Sequence, residues 1–236
     1  MYLNMKLNSK TADKRPTMAE WPIRIWNICE FPDDFKKHAL AWMQGPFDNY
    51  IFVYAPLRRT VQKSFAYLFG YGKDEVLVLR KIQDEISSVT FERSSITKID
   101  VRRELLNAEL IITYGKNRAA HPLLLPYVPS VYYLYDPFLN WMLYLDKDFS
   151  TVQAEQAHPR PDRLYRESLA MYNYSLNAYR LGDGFTDYSY SSKIRRSRFI
   201  PWKKHIEEWL EIPLERGTFR LHTFRYLTEF TYLISE

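Results

Sequence analysis

The side chains best suited to acid–base work or metal ligation are the histidines, His38, His121, His158, His205 and His222, and the single cysteine, Cys29. None of the histidines stands at HxxxH or HExxH spacing, and Cys29 has no CxxC partner, so no metal-ligand set is legible. His205 and Glu208 would share a face if their segment were helical, but two further ligands would be needed, and a surface histidine is the simpler account. Cys29, set between Ile28 and Glu30 in an aromatic neighbourhood, reads as a buried structural thiol. There is no GxSxG elbow, P-loop or GxGxxG pattern. Gly70-Tyr71-Gly72 lacks the third glycine, and a hairpin turn explains it. A general acid and its partner must converge to within about 5–10 Å in space, which spacing along the chain does not show. No catalytic residue, cofactor-binding residue or metal ligand is therefore assigned, and no cofactor is expected. An enzyme would have to gather scattered residues in a pocket between two halves of the chain.

The strongest positive signal is a basic cluster, Lys193, Arg195, Arg196, Arg198, Lys203 and Lys204, interleaved with Tyr188, Tyr190, Phe199 and Trp202. Cations beside aromatic rings suit single-stranded nucleic acid or anionic lipid headgroups, through phosphate neutralisation and stacking. Lys193, Arg195, Arg196, Arg198, Lys203, Lys204 and Trp202 form the candidate anion-binding set. Side chains alternate along a strand, so Arg196 and Arg198 would face solvent while Ile194 and Phe199 pack inward across a slip or bulge. A solvated strand face beside an aromatic core would give the same pattern. Arg58, Arg59 and Lys63 form a smaller group that could join that surface. The formal net charge of +5 is only a modest excess.

The elements that must position these residues are mostly strands. Among 236 residues there are nineteen Tyr, fourteen Phe and six Trp but only seven Gly. Aromatic side chains suit half-buried strands, and scarce glycine argues against propellers and β-helices. A single cysteine excludes an intrachain disulfide scaffold. The first residues lack the apolar run of a signal peptide, and no stretch approaches the roughly 18 apolar residues that cross a bilayer. A cytoplasmic location is expected.

Residues up to Arg15-Pro16 are polar and basic and read as a loose leader. Phe35, Ala39, Leu40 and Met43 have helical spacing, with Asp33 or Asp34 as the cap and Gly45-Pro46 as the stop. Strands are predicted at 50–54, 65–69, 76–80, 86–91, 96–101 and 109–114, the second and third joined at Gly70–Asp74. Their spacing suits antiparallel pairing rather than βαβ units, and polarity between Tyr50 and Tyr114 predicts one curved sheet. Leu134, Phe138, Trp141, Met142 and Leu145 predict a helix beginning near Asp136, with Pro137 in its first turn. Residues 164–181 predict one helix with Leu169, Tyr172, Leu176 and Tyr179 on a face. Strands follow at 186–190, 198–202, 218–224 and 230–234, while 206–211 fits helix or strand. Val89, Ile96 and Ile99 are echoed 110 residues later by Phe199, Ile206 and Trp209, and Leu110–Ile112 by Phe219–Leu221, as a duplicated unit or chance would give.

The hairpin ending in EVLVLRK, the run VTFERSSITKIDVRRELLNAELIITYG and the LLLPY segment leading to WML resemble a bacterial pleckstrin-homology-like domain across residues 50–145. The matching positions are Phe91, Ile96, Ile99, Leu105-Leu106 and Leu110–Ile112, a pattern of hydrophobic spacing. The resemblance implies a partly open antiparallel barrel capped by a C-terminal helix, and no particular activity. Phosphoinositide-binding members use a basic hairpin near the open end. Here the Gly70–Asp74 hairpin holds only Lys73 beside Asp74 and Glu75, a departure that argues against lipid binding through it.

The fold class expected is α+β: an N-terminal leader and helix (1–48), the barrel with its helix (49–148), a linker (149–163), and a helix with antiparallel strands (164–236). That last part is either a degenerate copy of the barrel or a unit packed against it. The function expected is a non-enzymatic interaction module binding a protein or peptide through a barrel face or sheet edge. The alternative is an anion binder, for nucleic acid or an anionic membrane surface, acting through residues 188–204.

Overall fold

Side-chain polarity alternates along most of the chain, and the backbone follows it into antiparallel strands. The computed structural model describes residues 18–59, 64–115, 120–146, 148–151, 153–154, 160–196 and 204–235. Two sheets carry an α+β fold. The first runs in the order β1 (Ile23–Ile25), β2 (Tyr50–Arg59), β3 (Ser64–Gly72), β4 (Glu75–Ile82), β5 (Glu85–Glu92). The second comprises β6 (Ile96–Glu104), β7 (Asn107–Tyr114), β8 (His121–Tyr127), β9 (Ser189–Arg196), β10 (Lys204–Leu214), β11 (Gly217–Phe224) and β12 (Leu227–Ile234), in the order β8-β7-β6-β12-β11-β10-β9.

The single curved sheet expected between Tyr50 and Tyr114 is therefore broken after β5. A 3-10 turn at Arg93–Ser95 turns the corner, and Arg93 points inward, where its guanidinium donates to the carbonyls of Trp141 and Met142. Among the described residues no ladder joins the two sheets, so they form an open two-layer arrangement and not a closed barrel.

The main core lies between the layers. Val53, Phe69, Tyr71 and Val78 of the first sheet meet Ile99, Leu110, Ile112 and Phe219 of the second, with Phe138 among them. A smaller core on the far side of the first sheet packs Phe35 and Ala39 of helix α1 (Asp33–Trp42) over Phe52, Leu68, Leu77 and Leu79. Gly70 stands directly opposite Phe52, and a Cβ there would come within 2.4 Å of that ring, so the close approach requires glycine. Pro32, not Asp33 or Asp34, is the N-cap of α1. Both aspartates lie in its first turn, where they oppose the positive end of the helix, and Asp34 also accepts from Lys81 at 2.5 Å.

β8 contains Pro122 and Pro126 and falls outside the predicted strands. Among the described residues it pairs only with β7, and an edge strand tolerates prolines because it needs only one row of ladder donors. A 3-10 segment (Pro129–Leu134) then leads into α2 (Asp136–Met142), with Pro137 in the first turn as predicted. The single helix expected at 164–181 is interrupted. Ser168 is extended (φ −157°, ψ 115°) and its hydroxyl accepts from the Met171 amide, so it ends α3 (Asp162–Glu167) and caps α4 (Leu169–Tyr174). The break rotates the apolar face. Leu169 is 56% exposed, while Met171, Ala178 and Tyr179 are buried.

The C-terminal strands extend the second sheet. β12 pairs with β6, setting Phe230 against Val101 and Tyr232 against Ile99. Within the 110-residue echo Ile96 is buried whereas Ile206 is 59% exposed, while Leu110, Ile112, Phe219 and Leu221 are all buried. The β11–β12 hairpin shares a turn conformation with β6–β7. Its turn begins at Arg225 as the other begins at Leu105, and both residues have positive φ.

Candidate docking surface at the hairpin tips

Two-residue hairpin turns need left-handed backbone at their first position, which favours Asn, Asp or Gly. Elsewhere in the chain such turns carry polar side chains: Lys73-Asp74 between β3 and β4, and Gln83-Asp84 between β4 and β5, with φ 48° and 56° at Lys73 and Gln83. At one end of the second sheet the chemistry is reversed. The β6–β7 turn is Leu105-Leu106 and the β11–β12 turn is Arg225-Tyr226, with φ 34° at Leu105 and 57° at Arg225. Leu105, Leu106 and Tyr226 are 67%, 60% and 66% exposed. The two turns are neighbours, because Leu227 pairs with Glu104.

The β9–β10 ribbon extends past the same end. Phe224, the last residue of β11, pairs with Glu207, so Lys204–Ile206 and their β9 partners Ile194–Arg196 outrun the sheet. Ile194 and Ile206 stand opposite each other there and are largely exposed. The expectation that Ile194 packs inward is corrected: its side faces the way Leu210 does, but the core ends before reaching it. β8 finishes opposite Ala108, which brings the exposed Tyr132 and Tyr133 to this end as well. Arg103 lies over the Tyr132 ring at 4.9 Å, and Tyr174 meets Phe230 edge-on at 5.7 Å. At about 4.8 Å per strand, the end from β7 to β9 spans about 24 Å.

The predicted cations lie on this ribbon. Lys193 and Arg195 project from the outer face, away from the core, and Arg196 pairs with Lys204 beyond the sheet. Arg195 is engaged, donating from Nε to Glu207 at 2.6 Å. That bond, ahead of the His222 contact, holds the Glu207 carboxyl below its usual range. Among the described residues, Lys193, Arg196, Lys204 and Arg225 form no ion pair, and Arg225 lies over the Phe224 ring at 5.0 Å. Tyr188 donates to Glu167 and Tyr190 to Glu208. Arg198, Trp202 and Lys203, like Phe199 and Lys63, lie outside the described residues.

Glu207 belongs to a row of ionisable side chains crossing the outer face: Arg195, Glu207 and His222 meet diagonally, and His222, Glu229, Arg102 and Glu109 follow in register. The neighbouring separations run from 2.6 to 3.7 Å. Trp209 stacks on His222, with centroids 5.4 Å apart and planes at 4°. His205 and Glu208 lie on a strand and so point to opposite faces. Cys29 is exposed, correcting the buried thiol. It sits in a one-turn 3-10 segment with no buried residue.

Between the two halves lies a cavity of about 640 Å³ lined by Arg93, Ile96, Met142, Leu143, Tyr144 and Arg216. Both guanidiniums are committed to backbone carbonyls. Arg93 donates to Trp141 and Met142, while Arg216 donates to Leu143 at 2.6 Å and Arg180 at 3.0 Å. The contacts to Trp141, Met142 and Leu143 cap the C-terminal end of α2. Among the described residues no group of three His, Cys, Asp or Glu is placed to hold a metal ion.

Sequence reasoning found the ribbon cations and missed the tips. The signal was present in RELLNA and TFRYLT, where two strand patterns flank a two-residue turn filled with Leu-Leu or Arg-Tyr.

Fold and surface together define an open, two-layer antiparallel protein with an apolar and basic end. Scans against family models, curated proteins and solved structures found no match to the chain. No helix of the described residues is long and apolar enough to cross a membrane.

Proposed function

We propose that this protein is a non-enzymatic docking module whose working surface is the hairpin-tip end of the second sheet. The observation that carries this reading is the contrast between turns. Lys73-Asp74 and Gln83-Asp84 are polar where the backbone is left-handed, whereas Leu105-Leu106 and Arg225-Tyr226 expose large side chains in the same conformation. Leucine gains nothing for the fold at such a place, and strain with exposure marks residues kept for contact.

A pleckstrin-homology-like organisation of residues 50–145 fits this reading. Support comes from the order of elements, a four-strand meander β2–β5, a three-strand meander β6–β8 and then α2. In that scheme residues 164–236 are an accessory part that widens the second layer and adds the ribbon. Recognition by strand addition is less favoured at two of the four sheet edges, since β1 has three residues and β8 carries two prolines; the other edges are β5 and β9.

The test is a photo-crosslinking side chain placed at Leu106 or Tyr226 in the full chain inside cells, with Asp84 as the control site. Adducts with lipid or protein at 106 and 226 but not at 84 are expected. Equal labelling at all three sites, or none, would end this reading.

A further inference from the structure

We infer that the surface engaged by the tip end is an anionic lipid bilayer. This inference rests on the docking reading above and adds the identity of the occupant.

The tips protrude, and what protrudes is aliphatic. Leu105 and Leu106 occupy a two-residue turn, and Ile194 and Ile206 lie on a ribbon that outruns its neighbours. A flat interface accepts several separate projections at once, and each apolar side chain entering the acyl boundary leaves water. Tyr132, Tyr133 and Tyr226 flank the leucines, and a tyrosine with an apolar ring and a polar tip suits the headgroup level. The cations Arg196, Lys204 and Arg225 stand at this end without ion pairs among the described residues, the disposition that meets anionic headgroups, while Lys193 lies on the outer face opposite Glu207.

Other occupants fit less well. The cations and tyrosines would give nucleic acid phosphate contacts and stacking, but it would leave four exposed aliphatic side chains with no apolar partner. A second copy across a two-fold axis would bring together two patches of the same net positive charge. The surface is also separate from the Gly70–Asp74 hairpin, so the attachment is interfacial insertion with charge and not capture of one headgroup in a pocket.

The experiment is co-sedimentation of the full chain with phosphatidylcholine vesicles, with and without phosphatidylglycerol. Binding is expected only with the anionic lipid, falling as salt rises. Leu105→Asp with Leu106→Asp should weaken it at least tenfold, and Arg196→Glu with Lys204→Glu by about fivefold for each cation lost. A tryptophan at position 106 should shift its emission to the blue on vesicles, and one at position 84 should not. Circular dichroism and cooperative melting would show each variant folded.

No binding to either vesicle, or binding unaffected by the aspartate pair, overturns the bilayer. If vesicles fail while position 106 still crosslinks selectively to a protein or to a second copy, the bilayer falls and the docking reading stands. If selective crosslinking fails too, both fall.

Discussion

Leu105 and Arg225 open neighbouring hairpin turns with the same left-handed backbone, at φ 34° and 57°. For a residue with a Cβ this conformation costs on the order of 1 kcal/mol. Replacing Leu105-Leu106 by Asn-Gly, which suits the turn, should therefore stabilise the protein by about 1 kcal/mol in guanidinium melts. The same exchange at Gln83-Asp84 should give a similar gain or less, because Asp84 already suits a turn. A loss of stability at 105–106 alone would mean that the leucines serve the fold and not a partner.

The boundary of the core along β10 makes a second prediction. Leu210 is 1% exposed, while Ile206, on the same side of the same strand, is 59% exposed. Leu210→Ala should cost about 2–5 kcal/mol through lost burial and the cavity left behind. Ile206→Thr with Ile194→Thr should change stability by less than about 0.5 kcal/mol for each residue. A large loss from the isoleucine pair would show that the ribbon is held by packing.

Much of this arrangement was legible in the sequence, and what was missed has physical reasons. The helix at Asp33–Trp42 and the β3–β4 hairpin follow from apolar spacing and from Gly70–Asp74, both local signals. β8 was hidden because Pro122 and Pro126 normally argue against a strand, and only its place at an edge permits them. The break at Ser168 turns on one hydroxyl capping one amide, which periodicity alone does not register. Pairing of β12 with β6 joins residues far apart in the chain, so no local pattern carries it. At the candidate site, the cations near Arg195 announce themselves by type. Ile194 and Leu105 look like core residues until the ends of the neighbouring strands are known.

Arg180 predicts a third effect. It is 3% exposed and joins the C-terminal part to α2, donating to Asp136 at 3.1 Å and to the side-chain oxygen of Asn140. Removing one partner of a buried pair leaves the other uncompensated, and the buried partner here is Arg180, since the Asp136 carboxyl is 30% exposed. Asp136→Asn, which leaves the guanidinium buried without its counter-charge, should therefore cost about 3 kcal/mol, and Arg180→Met less. A larger loss from Arg180→Met would assign the effect to its bond to Asn140 and the packing of its stem.

Glu207 predicts how stability responds to acid. Its carboxyl is held below the usual glutamate range first by the Arg195 hydrogen bond and further by His222. Between the depressed folded value and the ordinary unfolded one, the unfolded chain binds the extra proton, so stability falls as pH falls. The contribution is complete above the ordinary carboxylate value of about 4.3 and is lost as pH drops through the lower folded value. Arg195→Gln should raise the folded value toward the ordinary one and flatten that part of the acid limb. Denaturation midpoints from neutral pH to about pH 3 would measure it, with Glu207→Gln as the variant lacking the titrating group. The two substitutions should bring the curves together in this window, and an acid limb as steep in both as in the unaltered protein would remove Glu207 from the account.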